Sequence, residues 1–330
     1  MLKDHLERPL SSLRISVIDA CNFRCTYCMP VDKYGENYKF LPKNKLLTFS
    51  EIIRLIKVFV KLGVKKIKIT GGEPLLRANI CDFISSLSKI PGIEDISLTT
   101  NGYLLADKAQ LLKEAGLHRV TISLDSLQPH NFQKIIGRKY SLEKVLQGIS
   151  AAEQAQLFPI KINVVLIKNY NDKEILDIVK YFKKQHYAIR FIEYMDVGNV
   201  NGWQMQQVVT SKEILQKIEE EYPLVAHGLE YGEVADRYFH KDGIGEVNFI
   251  SSVTKPFCSS CVRARVSAEG KLYTCLFATE GHDLKCLLNE SDDEVHKYLS
   301  NIWKNRSDRY SEERSSTTKK NKVEMYHIGG

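Results

Sequence analysis

Between residues 13 and 195, short runs of aliphatic and β-branched residues alternate with amphipathic stretches whose apolar positions recur every three or four residues. The strand-like runs fall at residues 14–18, 66–70, 96–100, 120–124, 160–167 and 189–193. They are rich in Ile and Val, as burial on both faces requires. Between them, SEIIRLIKVFVKLG reads as a helix from a Ser50 N-cap to Gly63, and LADKAQLLKEAGL as a helix that breaks at Gly116. Six successive β/α units predict an α/β chain built on a parallel sheet. Such a sheet either curls into an incomplete barrel or lies open and doubly wound, and periodicity does not separate the two.

Beyond residue 200 the regularity stops. NVNGWQ reads as a loop, SKEILQKIEEEYP as a helix, and the stretch after it is glycine-rich with short strand-like runs. The final segment, RSDRYSEERSSTTKKNKVEMYHIGG, is polar and poor in apolar residues, so composition alone predicts a mobile tail. The expected division is a core over residues 5–228, a smaller region over 229–316 and a tail over 317–330. No internal repeat is visible beyond the β/α alternation.

Composition narrows the classes. With 330 residues, 43% hydrophobic and 26% charged, the chain is not disordered as a whole. No stretch approaches the roughly 18 uncharged apolar residues of a spanning helix. The start, MLKDHLERPL, lacks the charged-then-apolar signature of an export leader. A cytoplasmic protein with no membrane partner is expected. The 47 Lys and Arg exceed the 40 Asp and Glu by 7, which favours an anionic partner without naming it. Eight cysteines in such a chain point to metal binding or catalysis rather than disulfides.

The spacing of those cysteines carries the chemistry. ISVIDACNFRCTYCMP brings Cys21, Cys25 and Cys28 together directly after the first predicted strand. Three thiolates this close can hold an iron–sulfur cluster and leave one iron open. Zinc is the alternative, but it needs a fourth ligand that this window lacks. KITGGEP follows the second strand: its paired glycines let backbone approach a ligand, and the Glu73 carboxylate can accept hydrogen bonds from an ammonium. By itself GGEP is only a turn. Both motifs fall at the C-terminal edge of the predicted sheet, where β/α folds gather their ligands.

A second triad, Cys258, Cys261 and Cys275, lies in KPFCSSCVRARVSAEGKLYTCLF. It suits a second cluster with an open iron, or a zinc site completed by Cys286 or His282. Arg263 and Arg265 alternate along a strand-like run and therefore share a face, either as a phosphate clamp or as a solvated charged surface.

The Cys-x-x-x-Cys-x-x-Cys spacing, with Tyr27 before the last cysteine and GGEP after the next strand, resembles the radical S-adenosylmethionine (SAM) superfamily. The resemblance implies a partial (β/α)6 TIM-like barrel of that type with a smaller C-terminal cluster-binding region. It implies SAM bound to the open iron and bordered by Tyr27, Gly72, Glu73, Ser123 and Met195. One electron from the cluster would cleave SAM to methionine and a 5′-deoxyadenosyl radical that takes hydrogen from the substrate.

With KITGGEPLLR, RFIEYMDVG, the second triad, its RAR, DRYSEER and the terminal Gly329-Gly330, nearly the whole chain is similar to the GTP 3′,8-cyclase family of molybdenum cofactor biosynthesis. That similarity implies a lyase with two 4Fe–4S clusters, the second binding the guanine of GTP through its free iron. It implies GTP contacts from Arg14, Lys68, Thr99, Lys161, Arg190, Arg263 and Arg265. Catalytic roles pass by the same route to Cys21, Cys25, Cys28, Arg263, Arg265, Gly329 and Gly330, the Gly-Gly end entering the active site. Lys68 departs from the family, which often has Arg there; Lys keeps the charge and loses the planar fork.

The implied reaction removes the ribose C3′ hydrogen of GTP, and the carbon radical attacks C8 to give (8S)-3′,8-cyclo-7,8-dihydroguanosine 5′-triphosphate. No ordinary general base reaches such a hydrogen, so the lack of a clear His or carboxylate dyad is expected. The implied partners are an external one-electron reductant, a second copy in a homodimer and a downstream cyclic pyranopterin monophosphate synthase, with no nucleic acid. A Gly-Gly end also marks small carrier proteins, but the long β/α pattern argues against a carrier. Cys81 and Cys286 have no motif partner and are expected to pack as small apolar residues.

Overall fold

The computed structural model describes residues 2–185, 187–314 and 321–329. Its core is six parallel strands, β1 (Ser12–Ser16), β2 (Lys66–Thr70), β3 (Asp95–Thr100), β4 (Arg119–Ser123), β5 (Lys161–Leu166) and β6 (Ala188–Glu193). Each pairs with the next in chain order. That order chooses between the two architectures left open by periodicity. A doubly wound sheet reverses direction at a switch point and carries helices on both faces. Crossovers of one hand that never reverse keep the helices on one face and curl the sheet. The result is an incomplete barrel. Its six strands begin and end within two residues of the hydrophobic runs in the sequence.

The helices between and beyond these strands are α1 (Phe49–Lys61), α2 (Ile80–Ser88), α3 (Ala109–Glu114), α4 (Pro129–Ile136), α5 (Leu142–Gln154), α6 (Ile175–Lys183) and α7 (Ser211–Glu219). Helix α1 starts two residues earlier than expected. Its N-cap is Thr48, whose hydroxyl accepts from Glu51 N while the Glu51 carboxylate accepts from Thr48 N, a reciprocal box that Ser50 does not form. Ile52, Leu55, Ile56 and Phe59 then fall on its buried face. Helix α3 is shorter than its apolar pattern suggested, because residues 102–108 wind as successive turns closed by Leu105 N to Gly102 O and Lys108 N to Leu105 O. Gly116 follows α3 at a φ of +99°, and a Cβ there would lie 2.6 Å from Ser88 Cβ.

The C-terminal strands are β7 (Leu224–Gly228), β8 (Asp236–His240), β9 (Glu246–Ile250), β10 (Arg263–Val266), β11 (Lys271–Tyr273) and β12 (His282–Asp283). They do not form a separate layer. Strand β9 pairs in parallel with β6 and β10 in parallel with β1, so both edges of the barrel are extended in one sheet. The division between residues 228 and 229 falls in the connection between β7 and β8, two strands that pair with each other.

Helices α8 (Asp292–Lys304), α9 (Tyr310–Glu313) and α10 (Met325–Ile328) complete the chain. The described end of the tail, residues 321–329, packs against the rest of the chain. Tyr326 and Ile328 are buried, and the Lys322 ammonium is buried against the Asp196 carboxylate at 2.7 Å. Arg314 Nε donates to the same carboxylate, at 3.0 Å. Sparse but well-placed apolar residues and one buried ion cluster hold it, and these a composition average overlooks. Of the expected tail, residues 317–320 and Gly330 lie outside the described residues.

Candidate active site

A cavity of about 280 Å³ lies within the barrel, and all six cysteines of the two triads line it. The first triad sits on the loop after β1. That loop is stitched to the one after β2 by Gly72 N to Ile18 O at 2.7 Å and Glu73 N to Ala20 O at 2.9 Å. Gly72 is required by this approach, since a Cβ would lie 2.3 Å from Ala20 O and 2.5 Å from Asp19 O. Cys28 N and Met29 N both donate to Cys25 O, which turns the loop back on itself. Arg24 Nη1 ties it down by donating to the carbonyls of Cys21 and Phe23.

Enclosure in the barrel pushes the Cys21 thiol up to about 12 and raises Cys25 and Cys28 as well. A pocket that disfavours bare thiolates so strongly gains from a metal centre, which deprotonates its thiols and supplies the compensating positive charge. Three cysteine thiols on one short loop, all lining the cavity, can each take one iron of a cluster. The residues present therefore fit an iron–sulfur group at the first triad.

Around this loop the structure places the other residues expected near SAM. Gly72, Tyr27, Ser123 and Met195 line the cavity. Glu73 does not. Its carboxylate lies behind the wall, 1% exposed, accepting from Thr100 Oγ1 at 2.7 Å, Asn101 N at 2.8 Å and Leu75 N at 3.0 Å. Burial raises it to about 7 against those hydrogen bonds. In this structure the carboxylate braces the loops after β2 and β3, and Gly71 and Gly72 line the cavity.

Lower in the barrel the inward positions are cationic. Register places Arg14 of β1 beside Lys68 of β2 and Arg265 of β10, so all three project to the same face. With Arg190 and Arg263 they line the cavity. Enclosure, reinforced by the neighbouring guanidiniums, holds Arg14 and Lys68 well below their ordinary values. Arg190 Nε is buried without a hydrogen-bond partner among the described residues. Clustered cations at this depth call for an anion.

Thr99 lines the same cavity. Lys161 does not; it lines a second cavity of about 250 Å³ at the N-terminal ends of the strands, together with Lys66, Arg119 and Glu233. Arg14, Lys68, Arg190 and Arg263 border both spaces. Burial lowers Lys161 to about 8, with Arg190 and Arg119 contributing.

The second triad closes the opposite side. Burial raises Cys275 to about 12. Burial alone would raise Cys261 too, but Arg263 and Arg306 beside it bring it down to about 6. The extra ligands of the zinc alternative are elsewhere: Cys286 is exposed and donates to Asp283 O, and His282 is exposed on β12. The expectation that Cys286 packs as an apolar residue therefore fails, because it sits exposed in a single 3-10 turn (Lys285–Leu287). Cys81 does pack against the core.

Gly329 packs against two residues of the cavity wall without lining the cavity itself: its carbonyl accepts from Arg265 Nη1 at 2.6 Å, and a Cβ on it would lie 2.3 Å from Thr70 Cγ2. Sequence reasoning missed Asp125, Asn101, Tyr326 and Met325, which also line the cavity. Asp125 accepts from Tyr27 OH at 2.7 Å and from Val165 N at 2.8 Å, and burial raises it to about 6. Its position, two residues past the end of β4, was the available signal.

A barrel of successive parallel strands with three cysteines after the first and a glycine pair after the second defines a class of enzyme, and the comparisons agree. The family model described as the Radical SAM superfamily matches residues 15–182, and that described as Molybdenum Cofactor Synthesis C matches residues 187–312. The chain is 48% identical over its full length to a GTP 3′,8-cyclase of Xanthomonas campestris, covering 97% of that protein. It is likewise 48% identical to a GTP 3′,8-cyclase of Staphylococcus haemolyticus, covering 99% of it. Among solved structures, Streptococcus suis SuiB bound to S-adenosylmethionine is similar in fold, with a TM-score of 0.61 at 14% identity over 93% of this chain and 68% of that one. The chain belongs to the GTP 3′,8-cyclase family of the radical SAM superfamily. Among the described residues no helix is long and apolar enough to cross a membrane.

Proposed function

We propose that this chain is a radical SAM GTP 3′,8-cyclase, a lyase that forms (8S)-3′,8-cyclo-7,8-dihydroguanosine 5′-triphosphate in the first step of molybdenum cofactor biosynthesis. The observation that carries the reading is that both cysteine triads and the row of inward cations line one cavity. Cys21, Cys25 and Cys28 would hold one 4Fe–4S cluster and Cys258, Cys261 and Cys275 a second. When bound, the first cluster and SAM supply the one-electron chemistry that removes a ribose hydrogen.

The chain's own work is placement. Tyr27, Gly72, Ser123 and Met195 border the space for SAM, and Glu73 fixes the loops that shape it. Arg14, Lys68, Arg190, Arg263 and Arg265, with Thr99 and Lys161, are suited to hold a triphosphate along the barrel axis. Clamping that end limits the motion of the ribose relative to the reacting group, which lowers the entropy lost on reaching the transition state. The apolar wall and the docked tail exclude water. An external one-electron reductant, a homodimer, a cytoplasmic setting and a downstream cyclic pyranopterin monophosphate synthase complete the proposed context.

The test is anaerobic incubation of the reconstituted protein with SAM, dithionite and GTP deuterated at C3′. The expected result is deuterium in 5′-deoxyadenosine and a product with the mass of a cyclised triphosphate. Cleavage of SAM with GTP recovered unchanged would move the function to another substrate.

A further inference from the structure

We propose that Arg306, braced by Asp4 and Arg8, is a positioning residue of the second cysteine triad that sets the reduction potential of the cluster those thiols hold. The inference rests on reading Cys258, Cys261 and Cys275 as cluster ligands.

Arg306 lies just past α8, 4% exposed, and every nitrogen of its guanidinium is directed at the triad or its supports. Nη2 donates to Cys261 Sγ at 3.2 Å and Nη1 to Cys261 O at 2.7 Å. Nε donates to Thr274 O, the carbonyl preceding Cys275, at 3.1 Å. The plane is held over the Trp303 ring at 4.6 Å, and Trp303 Nε1 in turn donates to Arg8 O.

Behind Arg306 stands a buried relay from the start of the chain. Asp4 Oδ2 accepts from Arg306 Nη1 at 3.1 Å and from Arg8 Nε at 2.6 Å, with both guanidiniums and the carboxylate almost wholly excluded from solvent. Arg8 Nη1 then donates to Cys258 O at 2.7 Å and to Asp308 O at 2.8 Å. Asp308 Oδ2 also lies 3.4 Å from Arg306 Nε, at a partly exposed position. Backbone beside all three cysteines is thus gripped by two arginines that share one carboxylate.

The first triad has nothing equivalent. Among the described residues, Cys21 Sγ accepts only from Phe23 N at 3.4 Å and Asn101 Nδ2 at 3.9 Å, and neither donor is charged. Arg24 reaches Cys21 through its carbonyl, not its sulfur. A charged donor on a ligand sulfur withdraws electron density and favours the more negative, reduced cluster, so it raises the potential. A guanidinium that only anchored the N-terminus would have no reason to spend a hydrogen-bond donor on a buried sulfur.

The experiment is an anaerobic redox titration, followed by electron paramagnetic resonance, on full-length protein carrying Cys21→Ala, Cys25→Ala and Cys28→Ala so that only the second centre reports. Iron analysis comes first: about four irons per chain supports the cluster on which the proposal rests. Little or no iron would overturn that reading of the triad and this inference with it. Adding Arg306→Met is expected to lower the ratio of reduced to oxidised centre at a fixed potential about tenfold, a midpoint shift of about 59 mV for a one-electron couple. Arg306→Lys, which keeps a charge but not the fork, is expected to recover part of that ratio. If Arg306→Met fails to assemble iron, Arg306→Lys and Asp4→Asn carry the decision, and a shifted midpoint or altered g-values in either supports the proposal. A midpoint and spectrum unchanged in the iron-loaded variants, even with a lowered melting temperature, would show that Arg306 is merely structural and overturn it.

Discussion

Lys161 separates cleanly into two charge states within an accessible pH range. Its ordinary value lies above 10, but burial and the nearby Arg190 and Arg119 bring it down to about 8. Below that pH it is a cation facing the lower cavity, and above it the charge is lost. If Lys161 holds part of a triphosphate, GTP affinity falls as pH rises from 7 to 9, and Lys161→Arg flattens the profile because a guanidinium stays protonated. Calorimetric titration at the two pH values measures this; equal affinities in the original chain would remove Lys161 from the phosphate contacts.

Glu73 makes the complementary case. Its carboxylate satisfies Thr100, Asn101 and Leu75 at once, so Glu73→Gln strands at least one buried donor and is expected to cost about 1–3 kcal/mol in denaturant unfolding. The residue type was legible in GGEP. Which way the carboxylate points was not, because that depends on partners in β3 and the loop after it, roughly a full β/α unit later in the chain.

At the scale of elements, strands were read most accurately. A parallel strand buried on both faces is an unbroken apolar run, and such runs survive inspection one at a time. Caps were read less well, since Thr48 and Ser50 both precede the apolar face of α1 and only the position of Glu51 decides between them. Thr48→Ala is therefore expected to lower stability by about 1 kcal/mol in thermal or denaturant melts, with Ser50→Ala close to neutral.

The loops after β1 and β2 behave as one element because Gly72 lets them touch. Gly72→Ala would force Ala20 and Asp19 away and displace the segment that leads into Cys21. Iron content is expected to fall by the share held at the first triad, while the second triad keeps its own. A full complement of iron in Gly72→Ala would mean that the loops yield without disturbing the thiols.

For the molecule as a whole, the sequence motifs identified both triads, and the pairing of β10 with β1 brought them to one cavity. Nothing in periodicity told a curled sheet from a doubly wound one, because both use the same β/α unit and differ only in the side to which each crossover returns. Nor did it show that β9 and β10 join opposite edges of the barrel, since short strands of mixed composition carry little information about partners. Anaerobic iron analysis tests the assembled picture: about eight irons per chain are expected, and about four after replacing Cys258, Cys261 and Cys275 by alanine. Zinc in place of iron at the second triad would remove the open coordination site from the scheme.

The pairing of β10 with β1 also makes a strand into a ruler. Arg263 sits level with Ser12, so Cys258 and Cys261 lie ahead of the foot of β1, whereas Cys21, Cys25 and Cys28 lie beyond its head. Five residues at roughly 3.3 Å each put about 15 Å of rigid backbone between the two groups of thiols. A molecule worked on from both ends must match that span. Adding or deleting residues within β1 would alter it, and the pairing with β2 and β10 leaves no slack to absorb the change.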